Sequence, residues 1–136
     1  MTLATTDTRC VTVERDLPHP PERVWRALTQ GDLLEAWLMK NDFKPIVGHR
    51  FKFSAAWGSV DCQVIAVEPN ETLSYTWGAH GVGTVVTWTL TPTREGTNLR
   101  MEQSGFGPEQ TQAYFGAKAG WPRFFTALEQ RLAGVR

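Results

Sequence analysis

The chain offers three histidines, two cysteines and fourteen acidic residues for acid–base, metal or thiol chemistry. Their spacing supports little of it. His19, His49 and His80 stand apart, each beside a turn. A zinc site needs converging ligands, usually at short intervals. Cys62 has no neighbouring His or Lys to lower its pKa, so a catalytic thiol is not expected. Gly78, Gly81 and Gly83 lack the lysine and following helix of a phosphate loop. Asp61 and Glu102 can pair as acid and base only if folding turns both inward, and Glu102 alternates onto a polar face. No serine elbow occurs. The expectation is no catalytic residue, no metal and no cofactor.

The aromatic residues carry a stronger signal. Six tryptophans and seven phenylalanines are many for 136 residues. Large rings fill cores, and they also line pockets for apolar ligands. Phe51, Phe53, Tyr75, Trp77, Trp88, Phe106, Tyr114, Trp121 and Phe125 all fall at positions expected to be covered, with Val86 and Met101 beside them. A dry packed core and a ligand pocket both account for this set. Trp88 and Trp121 are the firmest candidates for pocket walls, and Tyr75 and Tyr114 each offer a hydroxyl. Polar residues at covered positions are rarer and more telling. Gln103 shares a face with Leu99 and Met101, Arg15 with Val13, and Lys118 falls on the apolar face of the last helix.

Length predicts one domain over 9–136 after a frayed tail at 1–8. Such a chain buries roughly two thirds of its unfolded surface and needs no disulfide. Cys10 and Cys62 read as reduced thiols in a cytoplasmic protein. Fourteen basic and fourteen acidic residues cancel, which argues against a nucleic-acid partner. No run of roughly 18 apolar residues predicts a membrane span, and MTLATTDTRC lacks the apolar core of a secretory leader.

The elements that must position the aromatic residues are mostly strands. Arg9 to Leu17 alternates with period two. Arg15 interrupts its apolar face, so the strand is expected to leave the core there. Pro21 and Glu22 open a short helix carrying Val24, Trp25 and Leu28. Gln30-Gly31 interrupts, and Leu33, Leu34, Trp37 and Leu38 form a second helix. Met39 to Gly48 reads as a loop. Strands follow at Arg50–Phe53, Val60–Val67, Thr72–Trp77, Thr84–Thr91 and Asn98–Gln103. Turns separate them at Trp57-Gly58-Ser59, Glu68–Glu71, Gly78–Gly83 and Pro92–Gly96. Short turns imply antiparallel neighbours. Six strands with one wet face need a cover on the other.

Only the last segment is long enough to cover them. Pro108 suits the first helical position, Gly107 the N-cap, and Gly134 the stop. Tyr114, Lys118, Trp121, Phe125, Leu128 and Leu132 follow one helical face, over a span of about 39 Å. Gly116, Gly120 and Pro122 predict a kink, or two helical pieces, with the break between Lys118 and Pro122, a firm C-terminal piece and a mobile N-terminal one.

The segments PPERVWRALT…LLEAWL, VGHRFKF, VDCQVIAVEPNETLSYTW, VVTWTLTPTREGTNLRMEQSGF and GWPRFFTALEQRLA, in that order over roughly residues 9 to 133, resemble the family of activator-of-heat-shock-protein-90-ATPase homologues. That family lies in the START-like (SRPBCC), birch-pollen-allergen-like superfamily. Gln30-Gly31 stands where relatives often carry Asp-Pro, and Val47-Gly48 where many carry Gly-Gly. The resemblance implies an α+β helix-grip fold: a curved six-stranded antiparallel sheet, two short helices between the first two strands, and a long helix across the sheet. It also implies an apolar cavity between helix and sheet that takes a hydrophobic or aromatic small molecule. A cyclase- or hydrolase-like enzyme using that cavity is one alternative. A stress-related module with a chaperone partner, or a homodimer built on exposed aromatics, is another.

Overall fold

The computed structural model describes residues 9–56, 58–79 and 82–134. In chain order the elements are β1 (Arg9–Leu17), α1 (Pro21–Thr29), α2 (Gly31–Trp37), β2 (Lys40–Asn41), β3 (Arg50–Ala55), β4 (Gly58–Glu68), β5 (Thr72–Ala79), β6 (Val82–Pro92), β7 (Thr97–Phe106) and α3 (Thr111–Gly134). The strands form one antiparallel sheet in the order β1-β7-β6-β5-β4-β3-β2. This is the helix-grip architecture, with seven strands rather than six among the described residues. The additional strand, β2, pairs only Lys40 with Ser54 and Asn41 with Phe53. Two residues are too short to show alternation, so the segment reads as loop in sequence.

Alternation puts one face of each strand in the core. Leu73 stands opposite Trp88, and Trp88 opposite Met101 on β7. The next row runs Val64, Tyr75, Val86, Gln103 and Val11 across five strands. Trp77 stands opposite Thr84 in the row after that. α3 lies against this face at the β1 and β7 side, with α1 packed near β6 and α2 near β2, both against α3.

Several boundaries differ from expectation. β1 does not leave the core at Arg15 but runs to a buried Leu17. Arg15 Nη1 instead meets Glu129 Oε1 of α3 at 2.9 Å. Gly58 and Ser59 belong to β4, and Trp57 lies outside the described residues. β5 and β6 pair as far as Gly78 with Gly83 and Ala79 with Val82. The glycine-rich connection therefore shrinks to 80–81, also outside the described residues, as is the tail at 1–8.

α3 starts at Thr111, three residues after Pro108. The Gln110 side chain accepts from the Gly107 N–H at 2.6 Å, holding the preceding turn closed. The helix is continuous through Pro122. Trp121 and Phe125 stand one turn apart on either side of that proline, and both are buried. Burying two such rings contributes about 3–6 kcal/mol, enough to offset the roughly 3 kcal/mol that an interior proline costs. The carbonyl left without its N–H belongs to the exposed Lys118, where water reaches it.

One glycine is demanded by close approach. At Gly96, in the β6–β7 turn, an added Cβ would strike the Leu17 carbonyl oxygen and lie 2.7 Å from the His19 nitrogen. These are backbone atoms and cannot swing aside. Gly96→Ala is expected to lower stability by about 3 kcal/mol. The check is a urea titration showing a lower midpoint at unchanged slope; an unchanged midpoint would show that the turn is not packed this way.

Candidate functional site

α3 is gripped unevenly. From Trp121 onward it buries Trp121, Phe125, Leu128 and Leu132. Arg23 Nη2 donates to the Leu132 carbonyl at 2.6 Å, supplying a cation at the helix C-terminus. From Thr111 to Gly120 no residue is fully buried. There Ala113, Tyr114 and Ala117 meet the core only in part, and so does Trp77 on the sheet. A Cβ added at Gly116 or Gly120 would meet nothing within 4 Å.

The boundary between the two halves is a polar chain inside an aromatic cluster. Trp121 Nε1 donates to Gln103 Oε1 at 2.7 Å. Gln103 Nε2 donates to Thr84 Oγ1 at 2.8 Å, and that hydroxyl donates to the Trp77 carbonyl at 3.0 Å. Around it the Trp121 ring centroid lies 5.2 Å from Trp77 and 5.6 Å from Trp88. Deeper in, Trp88 Nε1 donates to the Tyr75 hydroxyl at 2.9 Å. Burial holds the Tyr75 phenol well above its usual pKa, against the opposite pull of that hydrogen bond.

The expected wall residues divide into two groups. Phe51, Phe53, Tyr75, Val86, Trp88, Met101, Gln103, Phe106, Trp121 and Phe125 are buried together. Of these, Phe51, Phe53 and Tyr75 form a packed cluster with ring centroids 5.3 to 6.1 Å apart. Trp77 and Tyr114 are half-buried beside the open half of α3. Lys118 corrects its expectation: it is exposed, its Nζ 5.9 Å from the Tyr114 ring centroid, because its stem runs along the helix surface to water. Phe106 and Tyr114 meet edge to face at 5.8 Å. Thr84 was legible as a residue alternating with Val86 and Trp88, but its role needs the β5–β6 register that sets it opposite Trp77.

The remaining candidates stay apart. Cys62 is buried, and burial first, then Asp61 and Asp42, pushes its thiol pKa far up, so it is not a ready nucleophile. Asp61 on β4 and Glu102 on β7 are three strand spacings apart, about 14 Å. Among the described residues no group of His, Cys, Asp and Glu could hold a metal ion. A second groove, about 510 Å³, lies open on the outer face between Arg50, Lys52, Asp61, Gln63 and Thr76. Its walls also include Asp42, Phe51 and Cys62, so charged and apolar groups share it.

One long helix held by a curved antiparallel sheet, with two short helices at its end, defines the helix-grip class. The family model described as activator of Hsp90 ATPase homolog 1-like protein matches residues 18–133, and the chain belongs to that family. It is similar to the crystal structure of protein MLL2253 from Mesorhizobium loti: 61% identity, TM-score 0.91, 94% of this chain and 99% of that one. DynU16, a protein of the dynemicin biosynthetic locus, shares 28% identity at TM-score 0.83, over 92% of this chain and 47% of its own. The solution structure of the Aha1 dimer from Colwellia psychrerythraea shares the fold, at 23% identity and TM-score 0.83, covering 91% and 96%. Among curated proteins none matches. No helix among the described residues is long and apolar enough to cross a membrane.

Gln103 is the residue whose loss should be felt on both sides of the site. Gln103→Leu keeps the volume but leaves the buried Trp121 N–H without its acceptor, a cost of about 1–3 kcal/mol. Denaturant unfolding should show that loss, together with a shifted tryptophan emission. A variant as stable as the parent would show that the Trp121–Gln103 bond does not hold the helix.

Proposed function

We propose that the chain binds a hydrophobic or aromatic small molecule between the N-terminal half of α3 and strands β5 to β7, for sequestration or transport, in the cytoplasm. The observation that carries this is the half-gripped helix: Ala113, Tyr114, Ala117 and Trp77 face the core side yet stay only partly buried. An apolar ligand laid there would cover that surface, at about 25 cal/mol for each Å² removed from water. The inward polar groups at hand are Gln103, Thr84 and Tyr75. They can orient a ligand, and none is an acid or base near neutral pH, so they favour binding over turnover.

The test is a panel of flavonoids, fatty acids and polyketide-like compounds, followed by the emission of Trp77 and Trp121. Saturable quenching is expected from at least one. Ala117→Trp, which fills the space under the helix, should weaken that binding at least about tenfold while the protein stays folded. No quenching by any compound in a folded sample would sink the proposal.

A second reading, an interaction surface, rests on a different observation. Ile46, Val47 and Ile65 are exposed large apolar side chains. The hydrogen bond from Gly48 N to the Val64 carbonyl, 2.9 Å, sets their segments side by side. A relative of the same fold was solved as a dimer, and a homodimer through this patch is the form this reading takes. Sedimentation should then show a dimer that Ile65→Lys converts to monomer; a monomer at all concentrations would exclude it.

A further inference from the structure

The mouth of the proposed site carries two positive charges, those of Arg9 and Lys118. The Arg9 guanidinium carbon lies 4.4 Å from the centroid of the Tyr114 ring, and the Lys118 Nζ lies 5.9 Å from the same centroid. Two like charges thus share one aromatic ring at the open half of α3. Three cations elsewhere in the fold are paired, Arg15 with Glu129, Lys52 with Asp61 and Arg100 with Glu102; what sets Arg9 and Lys118 apart is that they meet on one ring. Among the described residues neither Arg9 nor Lys118 has a carboxylate within ion-pair distance. The first turn of α3 holds no acidic residue, although negative charge is what a helix N-terminus favours. Glu109, the nearest acid in sequence, turns back toward Gly107. Arg9 is held in place by a bond from its Nη2 to Thr111 Oγ1, 3.1 Å.

Like charges held together without a counter-charge favour an anion between or beside them. The surface they border is apolar: Tyr114, Ala117, Trp77 and Trp121. Resting on the ligand-binding reading above, we infer that the ligand is an amphipathic anion. Its apolar body lies under the N-terminal half of α3, and its carboxylate stays at the mouth with Arg9 and Lys118. The charge remains at the water boundary, where it escapes the cost of burial. Tyr114 contributes its ring to both cations and an edge to the apolar wall.

The experiment compares ligands with one body and two heads: dodecanoate against dodecanol, and 2-naphthoate against 2-naphthalenemethanol, at pH 8 by tryptophan fluorescence. For at least one body the acid should bind about tenfold more tightly than the alcohol at low salt, and raising the salt to about 0.5 M should erase most of that preference. In the double variant Arg9→Met, Lys118→Met, the acid-to-alcohol ratio should fall to about one. The salt series on the parent protein keeps the inference testable should the variant not fold. Equal binding of acid and alcohol overturns the inference and leaves the ligand-binding reading standing. A preference that survives both salt and the double variant also overturns it. Failure of all four compounds to bind a folded sample overturns both.

Discussion

A buried indole must be given an acceptor for its N–H, and three such indoles organise this molecule. Leaving one unpaired would cost about 1–3 kcal/mol, a sizeable part of a domain's whole stability. Each is satisfied by a different junction. Trp37 Nε1 donates to the Ala27 carbonyl at 2.9 Å and ties α2 to α1. Trp88 donates to Tyr75 and locks β6 to β5. Trp121 donates to Gln103 and ties α3 to β7. The rings touch one another as well, Trp37 edge-on to Trp88 at 5.8 Å and Trp88 edge-on to Trp121 at 5.6 Å. Helices and sheet are thereby set at one distance and one rotation, because a hydrogen bond is directional where apolar contact is not.

Much of this was legible from spacing alone. The period of two placed Phe51, Phe53, Tyr75, Trp88, Met101 and Gln103 on covered faces, and all are buried. Gln103 stood out because a polar group at a covered position needs a partner, but the partner's identity was not readable. It lies 18 residues away on another element. β2 escaped because two residues carry no period, and the ends of β5 and β6 escaped because glycine signals turns more often than strand interiors. Of the two forms expected for α3, a kink or two pieces, the two pieces are absent for an instructive reason. Local preference weighed Gly116, Gly120 and Pro122 correctly as poor helix formers, yet tertiary burial of Trp121 and Phe125 offsets them. For Lys118 helical spacing gives the direction of its Cα, while a four-carbon stem carries its charge out to water.

What helical spacing could not convey is that α3 has two characters without having a break. The Arg15–Glu129 pair is about a third exposed on each side, so it contributes little beyond ~1 kcal/mol. Four buried apolar side chains from Trp121 to Leu132 contribute about 1.5–3 kcal/mol each. Packing therefore fixes the C-terminal half, and the ion pair only aligns it. The N-terminal half has no such anchor. Its tether to the rest of the fold is Phe106 against Tyr114 and Arg9 against Thr111, one partly exposed aromatic pair and one exposed hydrogen bond.

α3 is held by buried side chains at one end and by one aromatic pair and one exposed hydrogen bond at the other. Separation at the open end breaks no buried hydrogen bond, since the Trp121–Gln103–Thr84 chain marks where the grip begins. The glycines that weaken the helix fall on this side of that chain, with open space around both. Stability and adaptability are thus assigned to different halves of one continuous element. The rows of the sheet follow the same division: Leu73, Trp88 and Met101 are wholly covered, while Trp77, four residues along β5 from Leu73, is not. The partly exposed apolar side chains, Trp77 on the sheet and Ala113, Tyr114 and Ala117 on the helix, thus lie where the grip on α3 is weakest.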